Sequence, residues 1–404
     1  MILAEPTWTP SLDGVALGSR ALFPDLELAA YLNHAAVSPA STLLREAVGA
    51  LLADYARRGV HAVGPWIAQR GRLKGRLSEL LGAQPQDLAF VANTSASVTS
   101  VATCFPFREG DRVLCFEGEF PTNVTPWQQA VRRCGGEVVW MEADAFRTDE
   151  ALDALDRVLA GGIRLVAVSL VQFQTGLRMP VEAIAERAHA HGAEVFVDAI
   201  QGAGIVPFDV ASLGVDYLGT GSHKWLMGLE GAGILWVRPD RQAALEPRLA
   251  AWLSHDDPLR FLFEPDQLRY DRPLVPGPAF LEGGALNGAG LAALEASLAA
   301  ILHLGVEAAF EHGQRYLDAV EPGLVERGFV SERSTDPSRR SGTLSLRPPA
   351  GVDLRALRDA LEEHGVSVSI PDGRLRLAPH WPNHLDEVPV VLAAMDLALP
   401  RARS

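Results

Sequence analysis

From residue 88 onward, short and almost continuously apolar runs alternate with amphipathic segments of helical period, and few architectures accept that rhythm. "LAFVAN" reads as a strand, "SASVTSVATCF" as a helix, "RVLCFEGEF" as a strand, "NVTPWQQAVRRCGG" as a helix and "EVVWME" as a strand again. The alternation continues through "RLVAVSLVQF", "VEAIAERAHAHG" and "EVFVDAI". Strands apolar on both faces need cover on both, and a helix between successive strands supplies it while leaving them parallel. The pattern predicts an α/β fold whose large domain carries a mostly parallel sheet covered by helices, with ligand groups at the carboxyl ends of the strands.

At 404 residues with 48% hydrophobic content the chain has room for a second unit. After the long helical stretch "GAGLAALEASLAAILHLGVEAAFEHGQRYLDAV", the elements "GTLSL", "DLRALRDALEEHG", "VSVSI", "RLRLAP" and a helix from "HLDEV" read as a smaller α+β C-terminal domain. The expected division is a large domain over 31–284, a small domain over 285–404 and an N-terminal segment, 1–30, packing with the small domain. Prolines and aromatics over 257–280 break the rhythm and read as an active-site loop or an interface.

The chain has 36 Lys+Arg, yet lysine occurs only at Lys74 and Lys224. Lys74, in the amphipathic "RGRLKGRLSELLG", reads as a solvated surface charge. Lys224 stands in "GTGSHKWLMG", a Gly-rich and mostly apolar run. A lysine in apolar surroundings loses its proton near neutral pH and attacks carbonyl carbon, which arginine does not do; the plain alternative is a lysine snorkelling from a loop. If Lys224 forms a Schiff base, the cofactor to look for is pyridoxal 5'-phosphate. That cofactor needs an anion cradle, an acid opposite its ring nitrogen and a face to stack on.

Each need has a candidate. "VANTSASVTS" places Asn93, Thr94 and Ser95 at a strand-to-helix turn, where free N–H groups bind phosphate without net positive charge, or where they simply cap the helix. Ser222 and His223 adjoin the lysine and can complete the cradle. Asp198 ends the apolar run of "EVFVDAIQGAG", where a carboxylate keeps a pyridine nitrogen protonated or caps a turn, and Gln201 follows three residues on. Phe120 in "EFPTN" follows another strand end and is either a stacking face or core. In "DGRLRLAPHWPN", Arg374 and Arg376 alternate with leucines and share a strand face, solvated or aimed at a substrate carboxylate.

Composition excludes other classes. A formal net charge of −14 without a basic stripe argues against nucleic-acid and anionic-membrane surfaces. The N-terminus lacks a signal pattern and no apolar run reaches a membrane span, so a cytoplasmic protein is expected. Cys104, Cys115 and Cys134 are odd in number and lack metal or disulfide spacing, and the histidine pairs His189/His191 and His380/His384 lack convergent ligands, so no metal site is expected. "GLEGAG" follows the lysine loop rather than the first strand of a βαβ unit and is not a dinucleotide fingerprint.

In order and spacing, "YLNHAA", "NTS", "EFPTN", "VDAIQ", "SHKW" and "RLAPHWPN" resemble the class V aminotransferase superfamily of fold-type-I pyridoxal phosphate enzymes, which includes cysteine desulfurases, kynureninases and isopenicillin N epimerases. The resemblance implies that Lys224 holds the cofactor, Asp198 pairs with its ring nitrogen, and Gln201 lies near its phenolic oxygen. It places Thr94, Ser95, Ser222 and His223 around the phosphate and Phe120 against the ring. Arg376 matches the arginine that grips the substrate carboxylate, and Asn33, His34 and Ala35 would line the substrate pocket. It also implies a homodimer with a shared active site. Two departures stand out: no cysteine lies beyond Cys134, where desulfurases carry a persulfide-forming one, and Ala285 replaces the threonine that many relatives lend to the neighbouring phosphate, so that contact is either lost or moved to Asn287.

The expected activity is on an α-amino acid through Cα deprotonation, favouring β-carbon lysis of a C–S bond without a persulfide step. Epimerisation and transamination are the alternatives within the superfamily. A non-catalytic cofactor- or amino-acid-binding protein is the alternative of another class.

Overall fold

A computed structural model of the protein describes residues 8–403. The expectations for residues 1–7 and 404 lie outside the described residues. In chain order the elements are β1 (Ala30–Tyr31), α1 (Thr42–Arg58), α2 (Val63–Leu81), β2 (Leu88–Val91), α3 (Thr94–Cys104), β3 (Arg112–Glu117), α4 (Thr125–Arg133), β4 (Glu137–Glu142), α5 (Glu150–Leu159) and β5 (Leu165–Ser169). They continue as α6 (Val181–Ala190), β6 (Glu194–Asp198), α7 (Val210–Leu213), β7 (Tyr217–Gly221), β8 (Gly233–Val237), α8 (Pro239–Gln242), α9 (Gly288–Leu304) and α10 (Val306–Glu326). The rest is β9 (Val330–Ser331), β10 (Leu344–Arg347), α11 (Leu354–Glu363), β11 (Val366–Ser367), β12 (Leu375–Leu377) and α12 (Glu387–Ala402).

The expected α/β architecture is present. A seven-stranded sheet has the order β2-β8-β7-β6-β5-β3-β4, and β8 alone runs against the others. Its strands are apolar on both faces for a concrete reason. In β3, Leu114 and Phe116 enter one core with Val166 and Val168 of β5, while Val113 and Cys115 enter another on the opposite face with Leu165 and Ala167. The first core is covered by α1, α2 and α9 through residues such as Leu43, Leu77 and Leu294; α3 and α4 cover the second through Val101 and Trp127. The smaller sheet, β12-β10-β9, packs with α10, α11 and α12 around Tyr316, Leu346, Leu361 and Met395.

The helices α9 and α10 meet at Gly305, whose φ of 81° suits glycine, and bend by 79° there. α9 thereby belongs to the large core and the later turns of α10 to the small one. The chain's beginning spans both: β1 pairs with β11, the Phe23 ring lies 5.7 Å from that of Trp381, and Val15 and Leu22 join the large core. Residues 257–280 form irregular chain with short 3-10 turns, exposing Phe263 and Tyr270. Lys74 departs from expectation. It is mostly buried, ion-paired to Glu282 at 2.7 Å and donating to the Leu88 carbonyl at 2.8 Å, because its helix face meets the sheet edge rather than water. Among the described residues no single helix is long and apolar enough to cross a membrane.

Candidate active site

Because β2, β3, β5, β6 and β7 run the same way, their carboxyl ends share one edge of the sheet, and the residues that follow them converge there. A cavity of about 320 Å3 at this edge is lined by Asn93, Thr94 and Ser95 after β2, Phe120 and Thr122 after β3, and Asp198 at the end of β6. Ile200, His223, Lys224, Glu230 and Gly231 complete it.

Asn93 caps α3, its Oδ1 accepting from the Ala96 N–H at 2.9 Å. Thr94 and Ser95 occupy the first turn, where backbone N–H groups lack intrahelical acceptors. The Thr94 hydroxyl is buried without a partner, an unmet need of the kind an anion answers, and Ser95 shares a hydrogen with Thr122 at 2.7 Å. Opposite, Gly221 leaves room: a Cβ there would stand 3.1 Å from both Thr94 Oγ1 and Ile200 Cδ1. Cap, orphan hydroxyl and open glycine together fit the phosphate of pyridoxal phosphate.

Lys224 sits in a tight loop after β7. Gly228 N–H donates to the Ser222 carbonyl, Met227 adopts a left-handed φ of 55°, and Ser38 Oγ donates to the Lys224 carbonyl at 2.7 Å. Burial drives the lysine's pKa down to about 8, against the pull of Asp198 and with a further push from Arg376. Asp198, 1% exposed, is raised to about 6 by desolvation, offset by the Ile200 N–H on its Oδ1 at 2.9 Å and by Lys224. Phe120 presents its ring to the cavity, with Lys224 Nζ 5.6 Å from the centroid and Phe173 edge-on at 5.3 Å. His223 is lowered by burial and then by Lys224, so it contributes a neutral imidazole.

Arg376 is 5% exposed, held by the Phe173 carbonyl at 2.8 Å and Ser369 Oγ at 2.9 Å. Burial alone lowers it to about 10. No carboxylate among the described residues lies in ion-pair range of it. Arg374, its alternate, is instead paired with Glu332 at 2.6 Å.

Other expected site residues stand behind the cavity wall. Gln201 Nε2 donates to the Ala35 carbonyl and its Oε1 accepts from Trp225 Nε1, so it braces the lysine loop. Ser222 Oγ donates to the Leu229 carbonyl. His34 is fully buried and held neutral by desolvation, its Nδ1 2.7 Å from Ser38 Oγ; since that hydroxyl gives its hydrogen to the Lys224 carbonyl, Nδ1 is the donor. Asn33 keeps a buried Oδ1 without a partner, and Asn287 caps α9 while donating to the Gly231 carbonyl. Thr122, Ile200 and Glu230 line the cavity without a sequence signal that marks them; Glu230 lies in "GLEGAG", whose distinguishing feature is its glycines.

The class-V aminotransferase profile matches residues 30–375. The chain belongs to that family. It is an enzyme of the pyridoxal phosphate-dependent kind, with pyridoxal 5'-phosphate as cofactor. It is 26% identical over 383 residues to the uncharacterized aminotransferase YcbU of Bacillus subtilis, covering 91% of this chain and 94% of the relative. It is 27% identical over 372 residues to isopenicillin N epimerase of Streptomyces clavuligerus, covering 90% and 88%. The crystal structure of the cysteine desulfurase CsdA from Escherichia coli superposes with a TM-score of 0.82 at 25% identity, over 94% of this chain and 97% of that one.

Proposed function

We propose that this class-V enzyme acts on an α-amino acid whose carboxylate binds Arg376, removes the Cα proton with Lys224, and cleaves a substituent, best a C–S bond, from the β carbon. The observation that carries this reading is the buried guanidinium of Arg376, without a carboxylate of its own, close enough to Lys224 to depress its pKa. A substrate carboxylate supplies the missing charge.

When bound, pyridoxal phosphate supplies an aldehyde that condenses with amines and a protonated ring that draws electron density from Cα. Thr94, Ser95 and the first turn of α3 would hold its phosphate, and Asp198 would hold a proton at its ring nitrogen. Lys224 suits a base. At a pKa of about 8 roughly a tenth of it is neutral at pH 7, against roughly one in three thousand at the ordinary 10.5.

Lysis is favoured over epimerisation because Phe120, facing Lys224, has no proton to give from its side. Sulfur would leave as a free species rather than on a protein thiol, since none of Cys104, Cys115 and the half-buried Cys134 lines the cavity and burial raises Cys115 far from reactivity. We infer a cytoplasmic homodimer, its copies meeting through the apolar side chains exposed at Phe261, Leu262, Phe263 and Tyr270.

The test is incubation of cofactor-loaded protein with L- and D-amino acids, including S-substituted cysteines and cystine, with products identified by mass spectrometry. Release of the β substituent supports the reading. An inverted amino acid or an intact keto acid replaces lysis with epimerisation or transamination, and binding without turnover makes the protein a sensor.

A further inference from the structure

One buried carboxyl beside the cavity has no part in these steps. Glu119 follows β3, immediately before Phe120, and is 9% exposed. Its Oε1 accepts from the Ser169 N–H at 2.7 Å and from Gln172 Nε2 at 3.0 Å, and its Oε2 takes the Ser169 hydroxyl. All three donors come from the end of β5 and the residues after it.

The location is particular. From β3 the chain steps outward to β4, then returns to the other side of β3 to lay down β5 and β6, so the strand order reverses between β3 and β5. Crevices at such reversals are where open parallel sheets take ligands. Glu119 closes this one, and Ser169, its partner, pairs in register with Asp198 on the next strand. Neighbouring strands lie about 4.8 Å apart, so two carboxyl groups share one buried corner. The titratable groups facing Glu119 are Asp198 from β6 and the Cys115 thiol from β3; burial keeps that thiol neutral. Burial raises Glu119 to about 7, Asp198 adds to the rise, and the donors from Ser169 and Gln172 oppose it. All three donors suit an ionised acceptor.

We propose that Glu119 is a positioning residue for the cofactor ring: it latches the segment carrying Phe120 to the end of β5 and places a second negative charge beside Asp198. The role rests on the cofactor reading above. The pyridinium that Asp198 holds is the positive charge that lets both carboxylates stay ionised, and Glu119 in turn strengthens the hold on that proton.

The experiment titrates apoprotein with pyridoxal 5'-phosphate, following near-visible absorbance for affinity and its pH dependence for the proton. Wild type, Glu119→Gln and Gln172→Ala are compared, with thermal unfolding recorded for each. Glu119→Gln keeps the shape and removes the charge: affinity is expected to fall about tenfold, and the absorbance midpoint to move down by roughly one pH unit. Gln172→Ala leaves the carboxyl in place but removes one of its three donors and loosens the latch, so affinity falls about threefold with the midpoint moving less than in Glu119→Gln. Wild-type affinity and midpoint in Glu119→Gln, or a lower unfolding temperature with neither changed, would overturn the proposal and leave the cofactor reading intact. If Glu119→Gln does not fold, Gln172→Ala decides: unchanged affinity refutes the latch. If wild type takes up no cofactor, the cofactor reading itself falls and this role with it.

Discussion

Asp198 and Lys224 oppose each other's burial: the ammonium lowers the carboxyl's proton affinity and the carboxylate raises the amine's, yet each stays on the desolvated side of its ordinary value, at about 6 and about 8. At pH 7 both groups are therefore mostly charged, but each titrates within about one unit of neutrality, which leaves roughly a tenth of the amine neutral.

That titration sets a pH dependence. In the apoprotein the rate at which Lys224 reacts with a small aldehyde, trapped by reduction, should rise with pH through a midpoint of about 8. Asp198→Asn removes the negative charge that favours the ammonium, so the midpoint should move down. An unchanged or raised midpoint in that variant contradicts the coupling.

Arg376→Ala should cost about a hundredfold in kcat/KM, carried mostly by KM, because the lost contact is to a carboxylate present in substrate and transition state alike. Arg376→Lys keeps the charge without the bidentate fork and should recover part of it. Steady-state kinetics on the first substrate found decides; a pure kcat effect would remove the carboxylate role.

Gly221→Ala should weaken cofactor retention by tenfold or so while the fold persists, since its methyl would crowd Thr94 Oγ1 and Ile200 Cδ1 at 3.1 Å in a cradle that depends on free space. Thr94→Val should do likewise by removing the orphan hydroxyl. Equilibrium dialysis against pyridoxal phosphate measures both.

Gly204→Ala acts on the support of the lysine loop. Its φ is 100° and a Cβ there would lie 2.4 Å from the Trp225 carbonyl oxygen, directly after Lys224. A loss of about 3 kcal/mol is expected from strain and displacement together, read by denaturant unfolding. A loss under 1 kcal/mol would mean that the loop shifts freely.

The large domain was legible because its strands bury both faces, which forces near-continuous apolar runs; β3 shows it, feeding Leu114 and Val113 to opposite cores. Asp198 and Lys224 were legible for a related reason, as charges at the ends of such runs. What could not be read were relations across strands. Nothing local says that β8 runs backwards between β7 and β2, since periodicity carries no direction. Glu119 looks like a turn residue until β5 delivers Ser169 to it from 50 positions away. Family resemblance assigns Gln201 and His34 outward, whereas Gln201 gives its amide to Ala35 and Trp225 and His34 gives its Nδ1 to Ser38 beneath the loop. Lys74 misled because amphipathic helices normally turn lysine to water, and here the neighbouring Glu282 holds it in.

The near absence of lysine has a practical corollary. With the Lys74 amine engaged by Glu282 and the Leu88 carbonyl, Lys224 is the side-chain amine most disposed to condense with a carbonyl compound. A single borohydride-fixed adduct, mapped by peptide digestion, would tag the reactive centre of the unmodified protein in a whole-cell extract, with no mutant needed to say which amine was caught.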